Sequence, residues 1–227
     1  MIAGRTGASE VFDYRALRLS VGIVALLLPI VLPAGEGHFS FSEILSSISA
    51  YYHSGMRNVF VGSLCAIATF FFAYKGKAPR EADASRFACL FALGVAFFPT
   101  PLDPKPSGSS VDVAGLIHGI SAGGLFLVLA LFCFVFFQAR FKGRDLTTKE
   151  KRRRTIYRVC GGVIVACIVL IGAAYFVPEE WRQQAKPVFF LEQIALVAFA
   201  ISWFTAGKWG VVSFLVDEPD AFRIRRT

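Results

Sequence analysis

The sequence predicts an all-α integral membrane protein, a polytopic transmembrane helical bundle of six spans. Of its 227 residues, 55% are hydrophobic and only 18% are charged, and the mean hydropathy is +0.57. Soluble domains of this length carry more charge and less apolar residue. The length suits one integral membrane domain over residues 1–227, with short connections between its helices.

Six apolar stretches approach the roughly 20 residues that a helix needs to cross the hydrocarbon core. They are residues 16–33, 58–74, 86–102, 114–138, 157–177 and 188–206. The first contains Pro29 and Pro33 and lacks a small-residue cleavage site, which favours a retained helix over a signal peptide. The third is the weakest, because its strongly apolar part is short and ends at Pro99.

The distribution of positive charge predicts the orientation of these spans. Counted together with the basic residues at the very ends of the spans (Arg18, Arg86 and Arg158), the seven connecting and terminal segments hold three, one, four, one, nine, two and four Lys or Arg residues in chain order. Under the positive-inside rule this alternation places both termini in the cytoplasm, and it requires the third span. The net charge of +8 therefore indicates topology and not nucleic-acid binding. The basic run from Lys151 to Arg154 is interpreted in the same way, with an acidic-lipid site as the alternative.

Three local patterns complete the predicted organisation. The Ser-rich connection 34–56 suits a short interfacial helix starting near Ser42, and the Pro- and Ser-rich residues 99–111 suit an extended loop. Gly115, Gly119 and Gly123 recur every four residues, which predicts a smooth face for close helix packing. The five cysteines lie inside apolar segments without a Cys-x-x-Cys pair, which is typical of small buried side chains.

The few ionisable groups near the spans are predicted to converge at one depth. Glu192 is the only carboxylate well inside a predicted span, and His118 is the only histidine there. His53 and Arg57 stand at the beginning of span two, and Asp112 precedes span four. Spans two, four and six all begin on the outer side, so these residues lie within one or two turns of that boundary. The sequence thus predicts a polar pocket facing the outer leaflet.

Further polar residues extend this predicted pocket. If the approach to span two is helical, Ser49, His53 and Arg57 share one face at i, i+4 and i+8. Ser121 follows His118 by about one turn, and Gln193 adjoins the carboxylate of span six. Ser121, Gln193 and Arg57 are therefore candidate ligand-binding residues.

The candidate chemistry is metal-assisted hydrolysis of a lipid-like ester or amide. Zinc in a catalytic site takes three protein ligands and keeps one position open for water, whose pKa it lowers to roughly 7. His53, His118 and a carboxylate, Asp112 or Glu192, supply such a set. The guanidinium of Arg57 also suits a lipid phosphate.

A non-catalytic function is the alternative. In a membrane subunit or small carrier, Arg57 and Glu192 would neutralise one another as a structural or gating ion pair. A buried pair of this kind costs far less than one unpaired charge, so the same residues fit either interpretation.

Part of the chain resembles known families. The stretch SISAYYHSGMRNVFVGSLCAIATFFFAYKG (47–76), with FALGVAFFPT (91–100) and IHGISA (117–122), resembles a block found in uncharacterised bacterial multi-span membrane proteins. That resemblance implies about six helices in a bacterial inner membrane and carries no known activity. Ser49 and His53 are also similar to the Ser-x-x-x-His of the alkaline ceramidase and adiponectin-receptor-like hydrolases. The last span here has Glu192 in place of that group's His-x-x-x-His pair, so its zinc set is incomplete.

Together these observations predict a multi-pass inner (plasma) membrane protein that handles a lipid or lipid-like molecule. If the protein is an enzyme, Ser49 and Glu192 are its catalytic candidates. Zinc is the one cofactor that the residues suggest, membrane lipids are the expected partners, and a homo-oligomer or a complex subunit is compatible with the pattern.

Overall fold

The computed structural model describes residues 6–76, 80–101, 112–139, 141–143 and 145–207. All regular structure in these residues is helical, and the chain folds as a helical bundle, as predicted. The helices are α1 (Thr6–Glu36), α2 (Arg57–Ala73), α3 (Glu81–Phe97), α4 (Val113–Ala139), α5 (Thr148–Ala174), α6 (Glu179–Ala185) and α7 (Pro187–Gly207). A 3-10 turn covers Ser49–His53, and α4 contains a π turn at Phe132–Phe136.

Four of the described helices are long and apolar enough to cross a membrane. The qualifying segments are Leu19–Glu36, Val113–Ala139, Thr148–Ala174 and Pro187–Gly207. The α2 helix is apolar but shorter, with 17 residues. The α3 helix also has 17 residues, and its first turns carry Glu81, Asp83 and Arg86. Length and composition therefore establish four candidate spans and not six.

Each of the six predicted stretches coincides with a helix, although several boundaries differ. The third stretch was expected at 86–102, but α3 begins at Glu81 and ends at Phe97. It ends there because the residue before Pro99 is disfavoured in helical conformation. The α5 helix begins earlier than predicted, at a capping box in which Thr147 and Glu150 satisfy each other's backbone N–H groups. The short α6 helix was not predicted.

Consecutive long helices run in alternating directions, so the bundle has two distinct ends. At one end, here named the loop end, the last turns of α1 and α3 meet the first turns of α2, α4 and α7. At the other, the basic end, the Tyr74 hydroxyl beyond α2 donates to Glu81 of α3 at 2.7 Å. Arg158 of α5 donates to Gln138 of α4 at 3.3 Å at the same end.

The core of the basic half is aromatic. Trp203 of α7 packs edge-on against Phe71 and Phe132, with ring centroids 5.6 and 5.3 Å away. Phe132 opens the π turn of α4, where the side chain amide of Gln138 donates to the freed carbonyl of Cys133 at 3.2 Å. The irregular turn is thus satisfied from within its own helix.

The predicted glycine stripe is not where the helices approach most closely. Gly115 lies against Pro101, but a Cβ added to Gly119 or Gly123 would meet no neighbouring atom within 4 Å, so the prediction of a packed stripe is wrong for these two. Gly94 of α3 instead lies directly against the Ser121 side chain of α4. Gly124 likewise lies against the ring of Phe91. The packed face of α4 therefore includes Ser121 and Gly124, and Gly119 faces outward.

The connection between α1 and α2, named the 37–56 loop, is tied at both ends. Gly37 (φ +80) ends α1 in the left-handed conformation, and the N–H of His38 donates to Pro33 at 2.9 Å. The Glu36 carboxylate accepts from the backbone N–H of Met56 at 3.2 Å, at the start of α2. The two ends of the loop are therefore adjacent, as in a compact Ω-loop.

The interfacial helix expected near Ser42 is absent from the described loop. Glu43 instead accepts hydrogen bonds from the N–H groups of Phe39 and Ser40, at 3.0 and 2.9 Å, and so bends the chain back on itself. The regular structure in the loop is the 3-10 turn at Ser49–His53.

Candidate functional site

The first turns of α7 hold the 37–56 loop in place. Lys186, at the junction of α6 and α7, is only 8% exposed. Its ammonium donates to the backbone carbonyls of Phe41 and Ser42, both at 2.8 Å, and also to that of Ile44. Burial lowers the pKa of Lys186. A buried ammonium bound by carbonyls alone acts as a fixed cation around which the loop is wrapped.

Sequence reasoning missed Lys186, which was counted among the charges of an exposed connection. The available signal was Pro187, since proline favours the first position of a helix. That assignment would have placed Lys186 at the helix junction, in contact with whatever covers the first turn of α7.

Two further contacts extend the attachment along α7. One turn beyond the lysine, the N–H of Phe189 donates to the Ser46 carbonyl at 3.1 Å. Another turn on, the Glu192 carboxylate accepts from the N–H of Ile48 at 2.6 Å. Residues 186, 189 and 192 therefore bind successive parts of the loop at intervals of three residues.

The structure brings together Ser49 and Glu192, the two predicted catalytic residues. Ser49 opens the 3-10 turn, and its N–H and hydroxyl both lie near the Glu192 carboxylate. The two residues are 7% and 9% exposed, so the contact is enclosed by the loop. A carboxylate beside a serine hydroxyl is able to accept its proton.

The two predicted histidine ligands secure the end of α3. The Nδ1 atom of His118, a residue buried on α4, lies 2.8 Å from the Phe98 carbonyl. The Nε2 atom of His53, which is exposed, lies 2.7 Å from the Thr100 carbonyl. Because a carbonyl only accepts, each of these nitrogens carries the proton. His118 thus satisfies the carbonyl of the residue that caps α3, which lacks an intrahelical partner, and His53 satisfies a carbonyl two residues further along the chain.

Arg57 and Glu192 do not form the ion pair proposed for the non-catalytic alternative, and that prediction is wrong. Arg57 is exposed, and its guanidinium donates to the Tyr52 hydroxyl at 2.6 Å. Its Cζ also lies 4.3 Å from the Tyr52 ring centroid. The carboxylate of Glu192 meanwhile faces Ile48 and Ser49 inside the bundle.

The shared helical face predicted for Ser49, His53 and Arg57 is also wrong. Ser54 adopts an extended conformation (φ −109, ψ 179) that separates the 3-10 turn from α2. Ser49 is consequently buried against α7, whereas His53 and Arg57 are exposed.

The remaining predicted residues have local functions. Asp112 is exposed and caps α4 by accepting from the N–H of Gly115 at 2.9 Å. Ser121 packs against Gly94, and Gln193 is half-buried on α7. Within the described residues, no three His, Cys, Asp or Glu side chains are grouped so that they could hold a metal ion. The set of His53, His118 and Asp112 is therefore not assembled as a zinc site.

Comparison with known proteins adds no relative. No protein-family model, curated protein or solved structure matches the chain. The family resemblances of residues 47–76 remain predictions, and the candidate site rests on its geometry.

That geometry combines an enclosed polar contact with an apolar outer surface. The loop covers Ser49 and Glu192 and exposes Phe39 and Phe41, at 82% and 52%. The ring of Phe41 stacks on Phe190 of α7, with centroids 5.7 Å apart. An amphiphile approaching the loop end would therefore meet aromatic side chains first and the Ser49–Glu192 contact beneath them.

Proposed function

We propose that the chain is a six-span inner-membrane protein that binds a lipid-like molecule between the 37–56 loop and α7. Both termini would face the cytoplasm, and the loop end would face outward. The observation that carries this proposal is the enclosed contact between the Ser49 hydroxyl and the Glu192 carboxylate, which lies beneath exposed aromatic side chains.

The direction of the helices supports the six-span topology. Because consecutive long helices alternate in direction, α2 and α3 would cross the membrane with the four longer helices if the bundle is embedded upright. Tyr175, Phe176 and Trp181 follow α5 at the loop end and are 66%, 92% and 49% exposed. Tyrosine and tryptophan concentrate at membrane–water interfaces, which supports a boundary near the end of α5.

The proposed reaction class is hydrolysis of an ester or amide. Ser49 Oγ would attack the carbonyl carbon while Glu192 takes the hydroxyl proton, giving a tetrahedral intermediate. The scissile bond then breaks, the leaving alcohol or amine takes the proton from Glu192, and the acyl group remains on Ser49. A water, activated by the same carboxylate, releases the acid. Access requires the loop to lift from α7.

A non-catalytic membrane subunit is the second candidate. It is favoured by the bond from the Ile48 N–H to Glu192, which engages the carboxylate in holding the backbone. In such a subunit, Glu192 would only hold the 37–56 loop against α7, and Ser49 would help to satisfy its carboxyl oxygens by hydrogen bonding.

Cysteine tagging tests the topology. Single cysteines at Lys149 and near the C-terminus should resist a membrane-impermeant maleimide in intact cells and react after permeabilisation. A cysteine at Ser107 should react in both conditions. Reaction of the Lys149→Cys variant in intact cells would overturn the proposed orientation.

Covalent labelling tests the site. A lipophilic fluorophosphonate should modify the protein in membranes, and Ser49→Ala should abolish the labelling. Ser42→Ala is the matched control, because Ser42 is exposed in the same loop. Labelling retained in Ser49→Ala would exclude Ser49 as the nucleophile. Wild-type protein that neither labels nor retains lipid in native mass spectrometry would favour the non-catalytic candidate.

A further inference from the structure

A cleft at the basic end has no part in the function proposed above. It has a volume of about 430 Å³ and is lined by Asp145, Leu146, Lys151, Arg154, Thr155 and Arg158. Its wall is the first three turns of α5, so it lies far from the Ser49–Glu192 contact, at the opposite end of the bundle.

Three cations of this cleft share one side of α5. Lys151, Arg154 and Arg158 are spaced by three and four residues, which stacks them on one face of a helix. Asp145 is the one acidic residue that lines the cleft. Three positive charges against one negative charge leave an excess that favours an anionic ligand.

The two arginines differ in how they are held. Arg158 Nε donates to Gln138 of α4 at 3.3 Å, which fixes the direction of its guanidinium. Arg154 Nε is buried and has no hydrogen-bond partner among the described residues. A buried guanidinium N–H without an acceptor is costly, and a ligand oxygen that the Arg154 side chain turns to meet would remove that cost.

We propose that this cleft binds the phosphate group of an anionic phospholipid. Arg154 supplies the unsatisfied donor, Arg158 a pre-oriented guanidinium and Lys151 a flexible charge, a combination that suits phosphate oxygens. Val159 follows on the same helix and is 58% exposed, so acyl chains have an apolar surface beside the cleft. Basic pockets at the ends of transmembrane helices bind lipid headgroups by this chemistry.

Lipid binding to purified full-length protein tests the proposal. Titration with phosphatidylglycerol, read by native mass spectrometry and thermal stability, should show saturable binding that phosphatidylcholine does not. Arg154→Gln should weaken that binding about ten-fold or more, as expected for loss of a charge-assisted hydrogen bond. Arg152→Gln is the matched control, an exposed arginine of α5 outside the cleft. It should weaken binding less than about five-fold, through general attraction alone.

Two further measurements keep the outcome decisive. Lys151→Gln changes an exposed residue, so it should fold normally and still weaken lipid binding more than Arg152→Gln does. Inorganic phosphate at millimolar concentration should compete with the lipid only weakly. Equal effects of the cleft and control substitutions would overturn the site. A rise in thermal stability with inorganic phosphate but none with phosphatidylglycerol would overturn the proposal that the ligand is a lipid.

Discussion

Glu192 of α7 accepts a 2.6 Å hydrogen bond from the backbone N–H of Ile48, a residue 144 positions earlier in the chain. Glu192 is 9% exposed, and neither Ile48 nor Ser49 brings a positive charge to it. A buried carboxylate stabilised by backbone N–H and hydroxyl groups couples the last described helix to the first connection. It also leaves Arg57 free to bind Tyr52.

Replacing the Glu192 carboxyl group should destabilise the bundle without involving Arg57. We expect Glu192→Gln to lower the free energy of unfolding in detergent by about 1–3 kcal/mol, because strong buried hydrogen bonds are weakened. The unfolding free-energy changes of Arg57→Gln and Glu192→Gln should add in the double variant to within about 0.5 kcal/mol, because the two side chains do not interact. A double-mutant cycle measures the coupling, and a large Arg57–Glu192 term would contradict the observed pairing.

Replacing Lys186 should loosen the 37–56 loop while the helices stay folded. Lys186→Met removes the ammonium from three backbone carbonyls that have to find other donors. A spin label at Phe39, in a background with Cys65 and Cys89 changed to alanine, should become more mobile. Lys142→Met, an exposed lysine at the basic end, is the control and should leave the spectrum unchanged.

His118 should matter for stability through its donor and not through a metal. His118→Ala removes the donor to the Phe98 carbonyl, and we expect a loss of about 1–3 kcal/mol. His118→Asn keeps a side-chain donor and should recover part of that loss. His53→Ala should cost about 0.5–1.5 kcal/mol, because its bond is exposed. Zinc should not change the melting temperature. If zinc raised the melting temperature of the wild-type protein but not that of His118→Asn, the interpretation that His118 acts only as a hydrogen-bond donor would be wrong.

Two glycine substitutions distinguish the observed helix contact from the predicted stripe. Gly94→Ala should destabilise the bundle, because the new Cβ would lie 2.8 Å from Ser121 Cβ and closer still to its hydroxyl. Adding Ser121→Gly should restore much of the stability. Gly119→Ala should be tolerated, since no neighbouring atom lies within 4 Å. Thermal unfolding in detergent ranks the variants, and equal losses for Gly94→Ala and Gly119→Ala would contradict the packing described.

Acid should release the tip of the loop. Hydrogen bonds from the N–H and hydroxyl of Ser40 lower the pKa of Glu43 below its ordinary value of 4.5. The folded pKa is the lower of the two, so the stabilisation is complete above about pH 4.5 and is lost as pH falls through the lowered value. The Phe39 spin label should become mobile over that range. In Glu43→Gln the mobility should no longer change there.

The helices were predictable where apolar runs end abruptly. Residues 188–206 were expected and α7 covers Pro187–Gly207, because hydropathy and the preceding proline indicate the same start. Glu81 was missed because a charged first turn reads as loop, although its carboxylate accepts a bond from Tyr74 and is only 3% exposed. This bond joins residues only seven positions apart, across a connection whose path is not encoded in local composition.

The candidate residues lie at the loop end of the bundle, but their individual contacts were not predictable from the sequence. Ser49 and Glu192 do meet, and His53 and His118 both bind the segment that follows α3. Their partners, however, are backbone groups of irregular segments, and the path of such segments does not follow from any periodic pattern in the sequence. Lys186 was overlooked because the carbonyls that bind it leave no mark in the sequence, although Pro187 marks the helix junction beside it.

The π turn at Phe132–Phe136 changes which side of α4 the residues after it occupy. One inserted residue rotates everything after it by about 100° relative to a regular helix. Before the turn, Ser121 faces Gly94 of α3; after it, Phe137 lies tilted against Tyr157 of α5, with ring centroids 5.2 Å apart. One helix thereby contacts two neighbours through residues that a regular helix would place on other faces. Deleting one residue at this point would restore regular periodicity and turn Phe137 and Gln138 away from α5, so the contacts of the last turn of α4 depend on one extra amino acid.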